Sequence, residues 1–229
     1  MREDVTPLQY GLLDCVVERR FPLAFLVSGN LAERINRQAH GAEPAALVAA
    51  LACLFRRSLI VAKRGPGVSP DLVLHAGEVE LAFDDDLEAG CDAWTYYGLT
   101  ARGGEVWEDL SSPRWDRYVE YGRSYLEEGM GMDEITGMDP DLVERCHGHV
   151  RRMYLEGGVD PHGMTRSEFR PWIAFYWKLL PHAYRLAYFV RDELRDPAWA
   201  TPRKPFAADP EFVTGGPPWY ARPFDAVSR

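Results

Sequence analysis

Leu54-Phe55-Arg56-Arg57-Ser58-Leu59-Ile60-Val61 ends an alanine- and leucine-rich stretch and decides the fold of the first half of the chain. The apolar spacing before it predicts a helix, and residues 59–62 predict a short strand. Further along, Trp94-Thr95-Tyr96-Tyr97-Gly98-Leu99-Thr100 predicts a returning strand, with Thr100 as the cap of a helix over 101–110. This order of elements predicts an α+β domain over residues 1–112.

The remaining elements of that domain follow from caps and turns. Thr6 precedes Pro7, which suits a first helical position, and leucines recur after it at helical spacing. A second helical pattern starts at Phe21 and is broken at Gly29-Asn30, and a third helix starts at Pro44. Between the two strands, two further short strands are predicted about Ala76-Gly77, as a hairpin.

Two motifs resemble the winged-helix regulators of the MarR and PadR kind. Residues 49–60 are similar to their third helix and following strand, with Ser58 at the position of a glycine. Tyr97-Gly98-Leu99-Thr100-Ala101-Arg102-Gly103 is similar to their wing exit. The resemblance covers about the first half of the chain and implies a winged helix with an elaborated wing. It also implies a transcriptional regulator that meets DNA phosphates through the basic residues Arg56, Arg57, Lys63, Arg64 and Arg102.

Charge favours a different partner. The chain has 26 basic and 35 acidic residues and a net charge of −9. Eight acidic residues and no Lys or Arg lie in 71–92, and the predicted third helix has no basic residue over 42–55. Because nucleic acids attract proteins through phosphate charge, this distribution disfavours DNA and favours a basic protein. The predicted partner-binding residues are the acids of the wing, Glu78, Glu80, Asp84, Asp85, Asp86 and Glu88. We therefore expect a non-catalytic binding protein, of the immunity, antitoxin or adaptor type.

The second half, 113–229, is predicted to hold helices and an aromatic hairpin. Ser112-Pro113 marks the boundary, a linking helix follows over 115–125, 129–137 is a loop, and a helix covers 141–156. Residues 169–190 favour a hairpin that turns at Pro181-His182, with a helix as the alternative. The proline-rich tail from Pro197 is expected to be extended, with its aromatic residues as anchors: Trp199, Phe206, Phe212, Trp219 and Tyr220.

Several patterns suggest chemistry without specifying it. Asp84-Asp85-Asp86 offers calcium ligands but lacks the EF-hand spacing, and Cys146 and His149 lie on one helical face without further zinc ligands. An enzyme using Cys146 with a histidine stays an alternative. The aromatic residues of 172–188 suit either a binding surface or, preferably, a core. No metal, cofactor or catalytic residue is predicted.

The expected location is the cytoplasm. The four cysteines form no CxxC pair, which suits a reduced protein. The first residues lack the apolar stretch of a signal peptide, and no run approaches the ~18 apolar residues of a membrane span.

Overall fold

The computed structural model of the protein describes residues 4–27, 42–65, 71–72, 75–84, 90–127, 129–195, 219–221 and 223. Helices and antiparallel sheets are both present, so the α+β class is confirmed. The chain forms two compact units. The first is drawn from Met1–Ser111, Phe175–Lys178 and Arg222–Arg229, and the second from Ser112–Ala174 and Leu179–Ala221.

Four helices are described in the first unit. They are α1 (Pro7–Cys15), α2 (Pro44–Arg56), α3 (Ala76–Phe83) and α4 (Ala101–Ser111). Thr6 caps α1 as predicted, because its hydroxyl accepts from the Gln9 amide at 3.2 Å and the Gln9 side chain accepts from the Thr6 amide at 3.1 Å. The core of this unit includes fully buried leucines of α1 and α2 and the ring of Trp107.

A four-stranded antiparallel sheet completes the first unit. Its strands are β1 (Phe21–Pro22), β2 (Ile60–Arg64), β3 (Asp71–Leu72) and β4 (Thr95–Leu99), in the order β1-β4-β2-β3. The two central strands confirm the predictions made for residues 59–62 and 94–99. The predicted helix from Phe21 is wrong at its start, where β1 leads into a 3-10 turn, Leu23–Leu26. The predicted break at Gly29-Asn30 lies outside the described residues.

The two motifs that suggested a winged helix meet in this unit. After α2, the Leu59 amide donates to the Leu54 carbonyl at 3.0 Å and the Ser58 amide donates to the Phe55 carbonyl at 2.9 Å, which is the Schellman pattern. Ser58 has a φ of 55°, the left-handed conformation that this helix end requires. The Thr100 hydroxyl then donates to the Ser58 carbonyl at 2.7 Å. It also accepts from the Gly103 amide at 3.0 Å, at the start of α4.

The hairpin predicted about Ala76-Gly77 is wrong, because this stretch forms α3. His75 caps the helix: its Nδ1 accepts from the Glu78 amide at 3.4 Å, and the Glu78 carboxylate accepts from the His75 amide at 3.0 Å. Alternation of apolar and polar residues over a few positions also fits one buried face of a short helix. Here Val79 and Ala82 are buried, at helical and not strand spacing.

The second unit is an antiparallel sheet with a helix, α5 (Pro140–Arg151). Its strands are β5 (Val119–Glu127), β6 (Met130–Gly137), β7 (Val159–Phe169) and β10 (Ala183–Arg191), in the order β5-β6-β10-β7. Strands β6 and β7 run in the same direction because each pairs antiparallel with β10. Helix α5 joins them and contributes Val143, Cys146 and Val150 to a core that it shares with the sheet.

Several predictions for the second half are corrected. The linking helix over 115–125 is wrong, since β5 occupies most of it, and the loop over 129–137 is β6. The helix predicted over 141–156 ends at Arg151. The strand character of 169–190 is confirmed, but the hairpin is longer than predicted. Its tip carries two further strands, β8 (Trp172–Phe175) and β9 (Lys178–Leu180), so the chain turns at residues 176–177 and not at Pro181-His182.

Of the tail, only residues 219–221 and 223 are described, so Trp199, Phe206 and Phe212 lie outside. The Trp219 ring lies 5.2 Å from that of Trp115 and 4.8 Å from that of Tyr118, and Tyr220 is 6% exposed. Among the described residues, there is no helix with the length and apolar character needed to cross a membrane.

Candidate functional site

Helix α3 presents part of the predicted acidic site on its outward side. Glu80 and Asp84 are exposed, whereas Glu78 is half-buried and engaged in the cap of the helix. Asp85, Asp86 and Glu88 lie outside the described residues. Leu81 lies between the two exposed acids in sequence and is 71% exposed, although most large apolar side chains of the unit are buried.

The inward side of α3 packs against α2 and the 3-10 turn Leu23–Leu26. Val79 is fully buried there and Ala82 is 6% exposed. On α2, Leu51 lies on the core face and is fully buried. Ala52, about 100° further around the helix, is also buried, at 2% exposed. The outer side of α2 keeps the small, exposed Ala45 and Ala49. This surface therefore offers few hydrogen-bonding groups for the edges of bases.

The five basic residues assigned to a nucleic-acid contact are not gathered in one place. Arg56 is exposed at the end of α2, and the neighbouring Arg57 guanidinium donates to the Asp4 carbonyl at 3.0 Å. Arg102 is near them, because it follows Thr100, whose hydroxyl binds the Ser58 carbonyl. Lys63 and Arg64 lie at the other end of β2. At the rise per residue of a strand, Arg64 is roughly 13 Å from Ile60, the first residue of β2.

Cys146 and its neighbouring histidines are core residues of the second unit. Cys146 is fully buried against the sheet, and His147 and His149 are 8% and 3% exposed. Within the described parts of the chain, no group of three or more His, Cys, Asp or Glu residues is arranged to hold a metal ion. The Cys146 thiol is packed among Val143, Val150 and Met153, which is the environment of a core cysteine.

The aromatic hairpin is largely buried. Trp172 is 4% exposed, Phe175 is 5% exposed and Tyr188 is fully buried. The Tyr188 ring packs edge-on against the His147 ring, with centroids 4.6 Å apart. These rings therefore fill cores, which was the preferred alternative, and leave little stacking surface for bases.

A buried ion pair that sequence analysis missed lies on the helix-covered face of the second sheet. The Arg123 guanidinium donates two hydrogen bonds to the Asp133 carboxylate, from Nε to Oδ1 at 2.5 Å and from Nη2 to Oδ2 at 2.9 Å. The Tyr121 hydroxyl donates to the same Asp133 carboxylate at 2.6 Å, and Asp133 is fully buried. The register places these groups together, since Arg123 lies opposite Asp133 on the neighbouring strand.

Further contacts extend this network towards the surface. Arg123 also donates to Asp192 at 3.0 Å and to the Tyr154 hydroxyl. The hydroxyl of the buried Tyr188 has no hydrogen-bond partner within the described residues. Since breaking such a pair leaves a buried charge, loss of either Arg123 or Asp133 is expected to cost about 3–5 kcal/mol of stability.

The electrostatics of this network favour a structural role. Burial, followed by the charge of Asp133, raises the pKa of Tyr121, and hydrogen bonding to Asp133 raises the pKa of Arg123. Burial likewise raises the pKa of Tyr188. These shifts keep the tyrosines protonated and the arginine charged, which is the opposite of what a general base near neutral pH requires.

Searches against family models, curated proteins and solved structures found no match to this chain.

Proposed function

We infer that this protein is a non-catalytic binding protein, whose acidic wing insertion docks a basic surface of a partner protein. Immunity proteins and adaptors act in this way, by covering the partner's surface. The observation that carries the proposal is the outward side of α3, where Glu80 and the C-cap residue Asp84 are both exposed. Since no Lys or Arg lies in 71–92, basic side chains of the partner meet no repulsion from that segment.

We further propose a winged-helix architecture for the first unit, which suits a docking role. The helix α1, the short β1, the helix α2 and the strands β2 and β4 follow one another in the order expected of that fold, and β4 lies between β1 and β2. The insertion between β2 and β4 supplies α3, where the resemblance implies the wing. The fold would thus present the acidic helix at the position where regulators of this shape present a basic wing.

The packing of α3 favours a protein partner over DNA. A winged-helix regulator needs an open face on its recognition helix to enter the major groove. Here α3 packs along α2, and the exposed part of α2 is covered with methyl groups. The basic residues at the two ends of β2 remain the candidate phosphate contacts of the rival hypothesis, a transcriptional regulator.

The test is capture of partners from the source cell, with nuclease-treated and untreated samples compared. A protein retained after nuclease treatment is then titrated with the wild type and with the Glu80→Lys/Asp84→Lys variant. We expect charge reversal to weaken binding at least tenfold, and the association rate of the wild type to fall as salt is raised. Arg64→Ala should leave the affinity unchanged.

The control is Glu105→Lys/Glu156→Lys, which changes net charge equally at exposed acids outside α3. Equal losses for the two double variants would reduce the effect to net charge and refute docking through α3. Selective binding of duplex DNA that weakens steeply with salt and is lost in Arg64→Ala would replace the proposal with the regulator.

A further inference from the structure

The outward side of α3 is a continuous helix face that carries a small residue and an exposed leucine in addition to its acids. Its exposed residues follow the helical repeat and lie on one side: Ala76, Gly77, Glu80, Leu81 and Asp84. The opposite side is anchored, since Val79 and Ala82 are buried. The outward residues are therefore held on a helix whose inner side is packed, and Leu81 among them is 71% exposed.

Gly77 and Leu81 lie one turn apart on α3. Gly77 leaves a hollow in the helix surface, and the Leu81 side chain projects beside it. A Cβ atom added at Gly77 would meet only the His75 ring, at the ordinary contact distance of 3.6 Å, so the space over Gly77 faces outward. Helices pack by setting a ridge of side chains into a groove of the neighbour. A small residue followed one turn later by a large apolar one suits that geometry.

Charge decides which kind of helix fits this face. Glu80 and Asp84 lie one turn apart on the same side of Leu81, and the surrounding segment 71–92 carries no cation. A matching helix needs an apolar row to surround Leu81 and Lys or Arg residues along the side of that row that meets Glu80 and Asp84. A polyanion lacks both features.

We propose that this face of α3 packs against a basic amphipathic α-helix of a partner protein, with Leu81 inserted into the apolar row of that helix. This names the class of partner for the function proposed above and rests on that proposal. The carboxylates of Glu80 and Asp84 speed association with the basic helix. Burial of Leu81 and close packing at Gly77 stabilise the complex.

The experiment uses the full chain and two synthetic helical peptides of equal length and equal lysine number. One peptide carries leucines along a single face, and the other carries serines at the same positions. We expect the leucine peptide to bind about tenfold or more tightly than the serine peptide, because one buried leucine accounts for at least that ratio. Leu81→Ser should remove most of the difference, whereas Leu126→Ser, at an exposed leucine of β5, should not.

Gly77→Ala provides a second variant that cannot act by unfolding. Alanine favours a helix over glycine, so α3 is strengthened, while the added methyl group fills the hollow. We expect it to weaken binding of the leucine peptide about threefold or more. Gly148→Ala, at an exposed glycine of α5 where an added Cβ meets nothing within 4 Å, is the matched control and should leave binding unchanged.

The possible outcomes separate the two proposals. Equal binding of both peptides, unchanged by Leu81→Ser and Gly77→Ala but abolished by Glu80→Lys/Asp84→Lys, would overturn the helix-packing inference and leave docking by charge intact. Failure of both peptides to bind at low salt would overturn both.

Discussion

At the scale of single residues, Ser58 stands at a position where the resembling motif has glycine, and its backbone conformation explains why glycine suits that position. Its φ of 55° is a conformation that glycine adopts without strain and other residues adopt at a cost. We predict that Ser58→Gly raises the free energy of unfolding by about 1 kcal/mol, since the backbone bonds of the helix end are kept and the steric cost is removed. Urea denaturation of the two proteins measures the difference.

Ser124→Gly is the control for that prediction. Ser124 lies within β5, where glycine gains nothing from its conformational freedom and loses backbone entropy on folding. This variant should be less stable than the wild type by roughly 0.5–1 kcal/mol. A stability gain in both variants would show that the effect does not come from the conformation at Ser58.

The sequence supports residue-scale prediction where a side chain acts locally. Thr6 and Thr100 were correctly predicted as helix caps because a cap binds amides three residues away or fewer. Asp133 could not be identified in the same way. Its partner Arg123 lies on a neighbouring strand, and the pair becomes visible only once the register of the two strands is known.

At the scale of elements, the errors have a common source. The spacing of Trp115, Tyr118, Val119 and Tyr125 suggests a helix over 115–125, and the glycines and methionines of 129–137 suggest a loop. In the structure, Tyr121 and Arg123 alternate with Gly122 and Ser124 in burial, as β5 requires. The tertiary pairing with β6 selects the strand. By contrast, β2 and β4 were predictable because each is a short apolar run beside a clear helix end: β2 follows α2, and β4 precedes the Thr100 cap of α4.

Helix α5 packs on the second sheet through a buried histidine, His147, and this predicts a loss of stability at acidic pH. His147 is 8% exposed, its ring packs on Tyr188, and its Nε2 has no hydrogen-bond partner within the described residues. Burial lowers the pKa of His147, with smaller effects from Glu144, which raises it, and from Arg166 and Arg151, which lower it. The folded state therefore favours the neutral imidazole more than the unfolded state does.

The direction of the pH effect follows from this shift. The unfolded state binds the proton first, at the ordinary value of 6.5, so stability is complete above that pH and falls as the pH drops below it towards the lower folded pKa. We expect His147→Phe, which keeps a ring against Tyr188, to reduce the loss of stability between pH 7 and pH 5. His182→Gln is the control and should retain the wild-type dependence, measured by urea denaturation at each pH.

At the scale of the whole molecule, the first unit depends on residues far along the chain. Within the described residues, strand β1 pairs with Tyr96 and Tyr97 and is too short to pair with the Leu99 amide. The Tyr176 hydroxyl accepts from that amide at 2.5 Å and donates to the Val16 carbonyl at 2.7 Å. No local pattern in the sequence could place Tyr176 there, because the contact joins segments that are remote in sequence.

Removing this hydroxyl should therefore destabilise the first unit. Tyr176→Phe leaves a strand amide and a carbonyl without partners, and each such group costs about 1–3 kcal/mol when buried. We predict a loss of at least 2 kcal/mol in urea denaturation, against no change for Tyr125→Phe, whose side chain is 76% exposed. A chain truncated after Ser111 lacks Tyr176 and also the Trp177 indole, which donates to the Val17 carbonyl at 2.8 Å, and should lose more. Full stability of that fragment would show that residues 175–178 are dispensable for the first unit.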